Sequence, residues 1–265
     1  MKQRIYPLIV LCLSTVLLIG TLAEYRLAFP AESNVLASYA PQEPWTPPAP
    51  TAPPSGNEEE TPPPELPENP IDFAALQDQY PEVVAWIQVP DTNINYAVMQ
   101  SGADTPEDFY LDHNEAGEKK RYGSIYIQRY NQADFSDPNT ILYGHNMASG
   151  AMFANVHKFK KTDFFSAHEY LYVYLPGHVL TYRIYSLFTH NPRHLLWAYD
   201  FDTEAGRQQF IDKTLNPKTS TKQVREGIVP TTADRLITLS TCVNGSQNTD
   251  RLLLVAVLEE DVLTK

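Results

Sequence analysis

Hydrophobic and polar residues alternate along several short stretches of the chain, which is the pattern of β-strands. The clearest is YLYVYLPGHVLTYRIYSLF, residues 170–188, in which three tyrosines alternate with Leu171, Val173 and Leu175. A Pro-Gly pair divides this stretch and predicts a hairpin turn. Six further strands are predicted at residues 83–89, 94–100, 123–128, 139–146, 235–243 and 251–260.

Two segments follow the spacing of a helix instead. Phe73, Leu76 and Tyr80 lie on one helical face before a proline ends the pattern. The apolar residues of TEAGRQQFIDKTL, residues 203–215, also roughly follow helical spacing, so a helix is predicted before the last two strands. Seven or eight short strands with few helices predict a mainly β fold that is a closed or nearly closed barrel.

The start of the chain has a different pattern. An uncharged run from Ile5 to Ala23 follows Lys2 and Arg4. As a helix it would span about 28 Å, close to the ~30 Å hydrocarbon core of a bilayer. We predict a single-pass membrane anchor over residues 1–26, with the N-terminus inside the cell and the rest of the chain outside. The alternative is a cleaved signal peptide.

Residues 27–70 contain more than half of the 22 prolines of the chain. Such a composition favours extended polyproline II over a packed core, so we predict an extracellular linker. A proline-rich recognition segment is the alternative. Residues 71–265 then form one globular domain of ordinary size.

The net charge of −12 and a pI near 5.0 argue against a nucleic-acid partner, because no basic stripe is visible to neutralise phosphates. Of the two cysteines, Cys12 lies in the predicted anchor, so the predicted domain has Cys242 alone and cannot form an internal disulfide. A lone thiol outside the cell must be either buried or used. No metal-binding cluster appears, and no cofactor is implied.

A cysteine nucleophile needs a proton donor and a group that stabilises the oxyanion. His145 is the best candidate donor among seven histidines, because it follows an apolar strand in a Gly-His-Asn turn and strand ends build the mouth of a barrel. Arg251 opens the strand after Cys242, so its guanidinium could meet the thiol. The alternatives are an inert buried thiol and an arginine that pairs with Asp250 or Asp234.

The other polar candidates are interpreted as solvent-exposed surface. These are the histidines His157, His168 and His178 and the acidic residues Asp108, Asp112 and Glu115.

Four ordered segments together resemble the sortases, the membrane-anchored cysteine transpeptidases of Gram-positive bacteria. TLSTC is followed by an arginine nine residues after the cysteine, and YGHN lies upstream. FAALQDQYPEVVAWIQVPDTNINYAVMQ, FYLDHNEAGEKKRYGSIYI and DPNTILYGHNMASGAMF resemble class B in particular, as does the helix before LITLSTC. The segment VNGSQNTD varies among these enzymes, which leaves open what lines the site beside Cys242.

The resemblance implies an eight-stranded sortase-type β-barrel with N-terminal helices and an inserted helix before the cysteine strand. It implies Cys242 as the nucleophile, His145 as the general acid/base and Arg251 as the ligand of the substrate or oxyanion. Ser240, on the same strand face as the thiol, would be an accessory hydroxyl.

The implied reaction cleaves a C-terminal sorting motif of a surface protein through a thioester and transfers the protein to an amine of peptidoglycan or of its lipid-linked precursor. A pilin-polymerising sortase, a cysteine peptidase and a binding domain without activity are the alternatives. In papain-like peptidases the cysteine usually precedes the histidine and opens a helix, whereas here His145 comes first and Cys242 ends a strand.

Overall fold

The computed structural model describes residues 36–47, 65–244 and 250–265. The chain divides into two compact units, Met1–Ser38 and Tyr39–Lys265, and the fold below is that of the second unit. The predicted anchor, residues 1–26, lies outside the described residues, as does most of the predicted linker.

The second unit is built around one sheet whose strand order is β5-β1-β2-β3-β4-β8-β9-β6-β7. Its strands are β1 (Val83–Gln88), β2 (Asn95–Gln100), β3 (Ile125–Ile127), β4 (Asn139–Tyr143), β5 (Tyr170–Leu175), β6 (His178–His190), β7 (Lys222–Val224), β8 (Leu236–Cys242) and β9 (Arg251–Leu263). Because β5 also pairs with β6, eight strands close into a barrel and β7 is added outside it. The predicted eight-stranded barrel is confirmed.

Helices fill the connections between the strands. The α-helices are α1 (Phe73–Gln79), α2 (Thr162–Ala167), α3 (Leu195–Ala198) and α4 (Glu204–Leu215), and 3-10 helices cover Phe109–Leu111 and Phe153–Lys160. The inserted helix before the cysteine strand is α4, whose N-terminus is capped by the Thr203 hydroxyl accepting from the Gly206 N–H at 3.2 Å. Among the described residues, α1 is the one helix that precedes β1.

The apolar residues form two layers, one inside the barrel and one between the barrel wall and α4. On β8, Ile237 and Leu239 point into the barrel. Side chains alternate along a strand, so Ser240 and Cys242 point to the outer layer. The same alternation on β9 places Arg251 on that outer side. The predicted site residues of the two strands therefore share one face.

Part of the segment predicted as a linker packs against the barrel. The Pro41 carbonyl accepts hydrogen bonds from the side-chain amides of Gln88 on β1, at 3.4 Å, and Asn95 on β2, at 3.3 Å. Trp45 is buried, with 9% of its surface exposed. Residues 39–47 therefore belong to the folded unit.

The prediction of a single-pass membrane protein is corrected. No helix in the described part of the chain is both long and apolar enough to cross a membrane. The longest α-helix there, α4, has 12 residues and spans about 18 Å, well short of the ~30 Å hydrocarbon core. The localisation as a single-pass membrane protein with its catalytic domain outside the cell is withdrawn.

Candidate active site

The thiol of Cys242 and the guanidinium of Arg251 meet where two neighbouring strands end. Cys242 is the last residue of β8 and Arg251 is the first residue of β9, and the two are direct partners in the antiparallel register. Arg251 Nη1 lies 2.6 Å from Cys242 Sγ. A guanidinium is a permanent cation with several N–H donors, so it stabilises negative charge on the sulfur.

His145 reaches the same place from β4, which runs parallel to β8 with Tyr143 opposite Ser240. The chain turns away immediately afterwards at Gly144, whose N–H donates to the Ser240 carbonyl at 3.2 Å. A Cβ at Gly144 would lie 2.5 Å from Ile125 Cδ1 and 2.8 Å from the Phe153 ring, so only glycine fits before the histidine.

The His145 ring is oriented by a main-chain carbonyl. Its Nε2 lies 2.7 Å from the carbonyl oxygen of Leu111, which ends the 3-10 helix Phe109–Leu111. A carbonyl can only accept, so Nε2 carries the hydrogen. In the neutral ring, Nδ1 is then the atom that accepts a proton.

All four predicted site residues line one cleft of about 330 Å³, which contains Cys242, His145, Arg251 and Ser240. Tyr126 and Tyr143 form part of its wall, and burial raises the pKa of both phenols above the usual range. Both hydroxyls are therefore neutral at physiological pH.

The end of β6 and the segment after it form another part of the cleft wall. His190, His194 and Leu195 lie there, and burial lowers the pKa of both histidines. His194 Nε2 lies 2.6 Å from Gln128 Oε1 and 3.3 Å from the Tyr143 hydroxyl, so it joins the two parts of the wall.

A second and larger cavity, of about 390 Å³, lies away from these residues. Arg235 and Asp261 line it and are paired at 2.7 Å. It contains none of the predicted site residues, and its main charged pair is already satisfied. We therefore place the candidate active site in the smaller cleft.

Sequence reasoning missed two residues that bond the main chain of Cys242. The carbonyl oxygen of Cys242 lies 3.2 Å from Asn146 Nδ2 and 3.1 Å from His157 Nε2. The interpretation of His157 as exposed surface is wrong, because its ring is half-buried. Phe153, Val156 and Phe159 recur every three residues, which is the period of a 3-10 helix. This spacing is the signal that could have predicted that the segment of His157 packs against the barrel.

Other surface interpretations also need correction. His168 is only 18% exposed at its side chain and bonds the Phe164 carbonyl, whereas the His178 side chain is 40% exposed and pairs with an aspartate. Asp108 lines the cleft. Glu115 is half-buried, and burial raises the pKa of its carboxyl.

The comparisons with known proteins agree with this geometry. The Sortase domain family model matches residues 87–259. Sortase B of Listeria monocytogenes is 34% identical over 169 residues, which cover 63% of this chain and 65% of that protein. The chain thus spans just under two thirds of that relative's length.

Solved structures of related proteins have the same fold. The X-ray structure of Clostridium perfringens sortase B matches with a TM-score of 0.61 at 32% identity, covering 71% of this chain and 100% of that one. The Staphylococcus aureus sortase B–substrate complex matches with a TM-score of 0.62 at 27% identity, covering 71% and 84%. The matched barrel and family domain, which span most of the described residues, confirm the resemblance seen in the sequence: this chain belongs to class B of the sortases, a family of cysteine transpeptidases.

Proposed function

We propose that this chain transfers surface proteins from a C-terminal sorting motif to an amine of the cell wall. In the first step Cys242 Sγ bonds to the carbonyl carbon of the motif, the peptide C–N bond breaks, and the amine leaves with a proton, so that a thioester remains. In the second step the amine of peptidoglycan or of its lipid-linked precursor bonds to the same carbon and the thiol is released.

The observation that carries this proposal is the 2.6 Å contact between Arg251 Nη1 and Cys242 Sγ in a cleft that His145 also lines. The guanidinium donates to the sulfur and stabilises the negative charge that the sulfur carries when it attacks. When the sulfur becomes acylated it loses that charge, and the same donors can turn to the oxyanion of the tetrahedral intermediate.

His145 moves the proton in both steps. Because Leu111 holds Nε2, the Nδ1 atom gives a proton to the leaving amine and takes one from the incoming amine. Ser240 is an accessory hydroxyl near the thiol, on the same face of β8.

We further propose that residues 71–265 form the catalytic domain and that residues 27–70 form the linker before it, with residues 39–47 packed on the barrel. Two other functions differ from this one only in the acceptor. A pilin-polymerising enzyme would use an amine of a second protein subunit, and a cysteine peptidase would use water.

The test uses the full chain and a panel of peptides that carry candidate sorting motifs, with and without triglycine as the added amine. We expect a thioester on Cys242 by mass spectrometry, turnover that rises with the amine, and a product joined to triglycine. Cys242→Ala should abolish both the thioester and the product, and His145→Ala should lower turnover by more than ~10²-fold.

Cleavage that proceeds equally fast without the amine would identify a peptidase instead. Transfer to a lysine-bearing subunit but not to wall peptides would identify a pilin-polymerising enzyme. If no peptide forms the thioester, the proposed reaction is wrong.

A further inference from the structure

The main chain of Cys242 lacks a strand partner on one side. On the β9 side the ladder continues beyond the cysteine, because the Val243 N–H donates to the Asp250 carbonyl at 2.9 Å. On the β4 side the Ser240 carbonyl accepts from Gly144, after which β4 has turned away. Carbonyls two residues apart point to the same side of a strand, so the Cys242 carbonyl faces this vacated position.

Two side chains take the place of the missing strand. Asn146 Nδ2 and His157 Nε2 both donate to the Cys242 carbonyl, at 3.2 and 3.1 Å. Burial, together with the charge of Lys160, lowers the pKa of His157, so its ring is neutral at physiological pH and Nε2 holds the hydrogen that it donates. A carbonyl with two donors is restrained in both position and direction.

Both donors belong to the segment that carries His145. The Phe153 N–H donates to the His145 carbonyl at 2.9 Å, and Asn146 forms a β-bridge with Met152. The 3-10 helix Phe153–Lys160 is fixed in turn by apolar side chains that are fully buried in the barrel, Phe153, Val156 and Phe159. The same segment therefore bonds the main chain of Cys242 and carries His145.

We propose that Asn146 and His157 are positioning residues that hold the thiol of Cys242 in register with His145. The proposal rests on the proposed function and extends it from the groups that react to the groups that align them. Misplacing a reacting group by about 1 Å can cost ~10²-fold in rate, so a restraint on the nucleophile's own main chain has a large effect.

The test compares variants of the full chain that change only the donors. His157→Phe keeps a planar ring and removes the donor, His157→Gln supplies an amide donor, and Asn146→Asp replaces the donor by an acceptor of the same shape. His168→Phe is the matched control, because His168 is also a shielded histidine that bonds a main-chain carbonyl, at 2.8 Å, but that carbonyl belongs to Phe164 and not to Cys242.

We expect His157→Phe and Asn146→Asp to lower kcat for the best peptide of the panel about 10- to 100-fold, with KM within twofold of wild type. His157→Gln should recover much of the loss, and His168→Phe should keep wild-type kcat. A second readout, the rate at which iodoacetamide alkylates Cys242 as a function of pH, needs no peptide. His157→Phe and Asn146→Asp should shift that pH profile, whereas His168→Phe should not.

Wild-type kcat and an unchanged alkylation profile in folded His157→Phe and Asn146→Asp would overturn the inference. So would a loss confined to KM, or a His157→Gln variant no better than His157→Phe. If His157→Phe does not fold, the kcat and the alkylation profile of Asn146→Asp test the inference. Failure of the proposed function looks different, because the wild-type chain itself would then form no thioester.

Discussion

In the proposed reaction, Arg251 contacts the thiol of the free enzyme and then the intermediate that follows. Its Nη1 contacts Cys242 Sγ at 2.6 Å, and the register of β8 and β9 sets this contact by placing the two residues opposite each other. Arginine differs from lysine in presenting several donors in a planar fork. One group can therefore hold a sulfur in the free enzyme and an oxygen in the intermediate.

Replacing Arg251 by lysine should be nearly as damaging as replacing it by alanine. Lysine keeps the positive charge but loses the planar fork, so we expect both variants to lower kcat/KM by at least ~10²-fold, the usual cost of a lost oxyanion donor. Steady-state transfer of a sorting peptide to triglycine measures this, and the melting temperature should hardly change.

Arg183→Lys is the control, because Arg183 lies on β6 and pairs with Glu169 at 2.9 Å outside the cleft. It should retain normal transfer. A lysine variant at position 251 that keeps most of the activity would mean that charge alone suffices and that the fork geometry has no role.

Among the elements, the 3-10 helix Phe109–Leu111 bears directly on the proposed reaction, since its last carbonyl orients His145. Tyr110 fixes this helix: it is 3% exposed, and its hydroxyl donates to Glu82 Oε2. The other carboxylate oxygen of Glu82 accepts from the Gly102 N–H at 2.7 Å. The loop after β2 is thereby tied to the start of β1.

Tyr110→Phe should weaken both the fold and the reaction. The Glu82 carboxylate loses a buried partner, which should lower the free energy of unfolding by about 1–3 kcal/mol. The Leu111 carbonyl also loses its support, so kcat should fall while the thiol content stays normal. Urea unfolding and single-turnover thioester formation measure the two effects.

Tyr172→Phe on β5 is the control, because it removes a hydroxyl from a partly exposed strand position outside the cleft. It should hardly change the free energy of unfolding or the rate of thioester formation. If Tyr110→Phe is destabilised but forms the thioester at the wild-type rate, the helix does not orient His145.

At the scale of the whole molecule, the strand order explains why three distant segments meet. The ends of β4 and β8 and the start of β9 lie side by side because these strands are consecutive in the barrel. The segment between β6 and β8 then covers their outer face. Three histidines that are at least partly buried, His157, His190 and His194, lie around these strand ends.

These histidines should make the fold sensitive to acid. Burial lowers the pKa of His157, His190 and His194, so the folded state favours the neutral rings. The stabilisation is complete above the unfolded value of about 6.5 and is lost as the pH falls through the lower folded values. We expect the urea midpoint to fall between pH 7.5 and pH 5.5.

His194→Gln should show a smaller decrease over the same range, because one titrating ring is gone. A urea midpoint that stays constant or rises on acidification would contradict the prediction. Glu115 acts in the opposite sense, since burial raises the pKa of its carboxyl. It is present in both wild type and His194→Gln, so the difference between the two chains reports the His194 ring.

Local pattern predicted most strands and α4, but not their full extent. The hairpin of β5 and β6 and the strand of Cys242 follow from alternation, whereas β9 continues to Leu263, three residues beyond the predicted end at residue 260. Its partner there is the start of β6, so pairing with a neighbour extends the strand where the sequence does not. The short strand β7 was not predicted for the same reason.

The sequence by itself determined the barrel class, the family and the chemical types of Cys242, His145 and Arg251, because alternation, turn residues and ordered motifs are local properties of the chain. Only the tertiary structure decided what holds these residues in place. The carbonyl that orients His145 is 34 residues away, and the donors that restrain Cys242 are 96 and 85 residues away. No local pattern encodes such contacts, since they exist only once closure of the barrel brings the strand ends together.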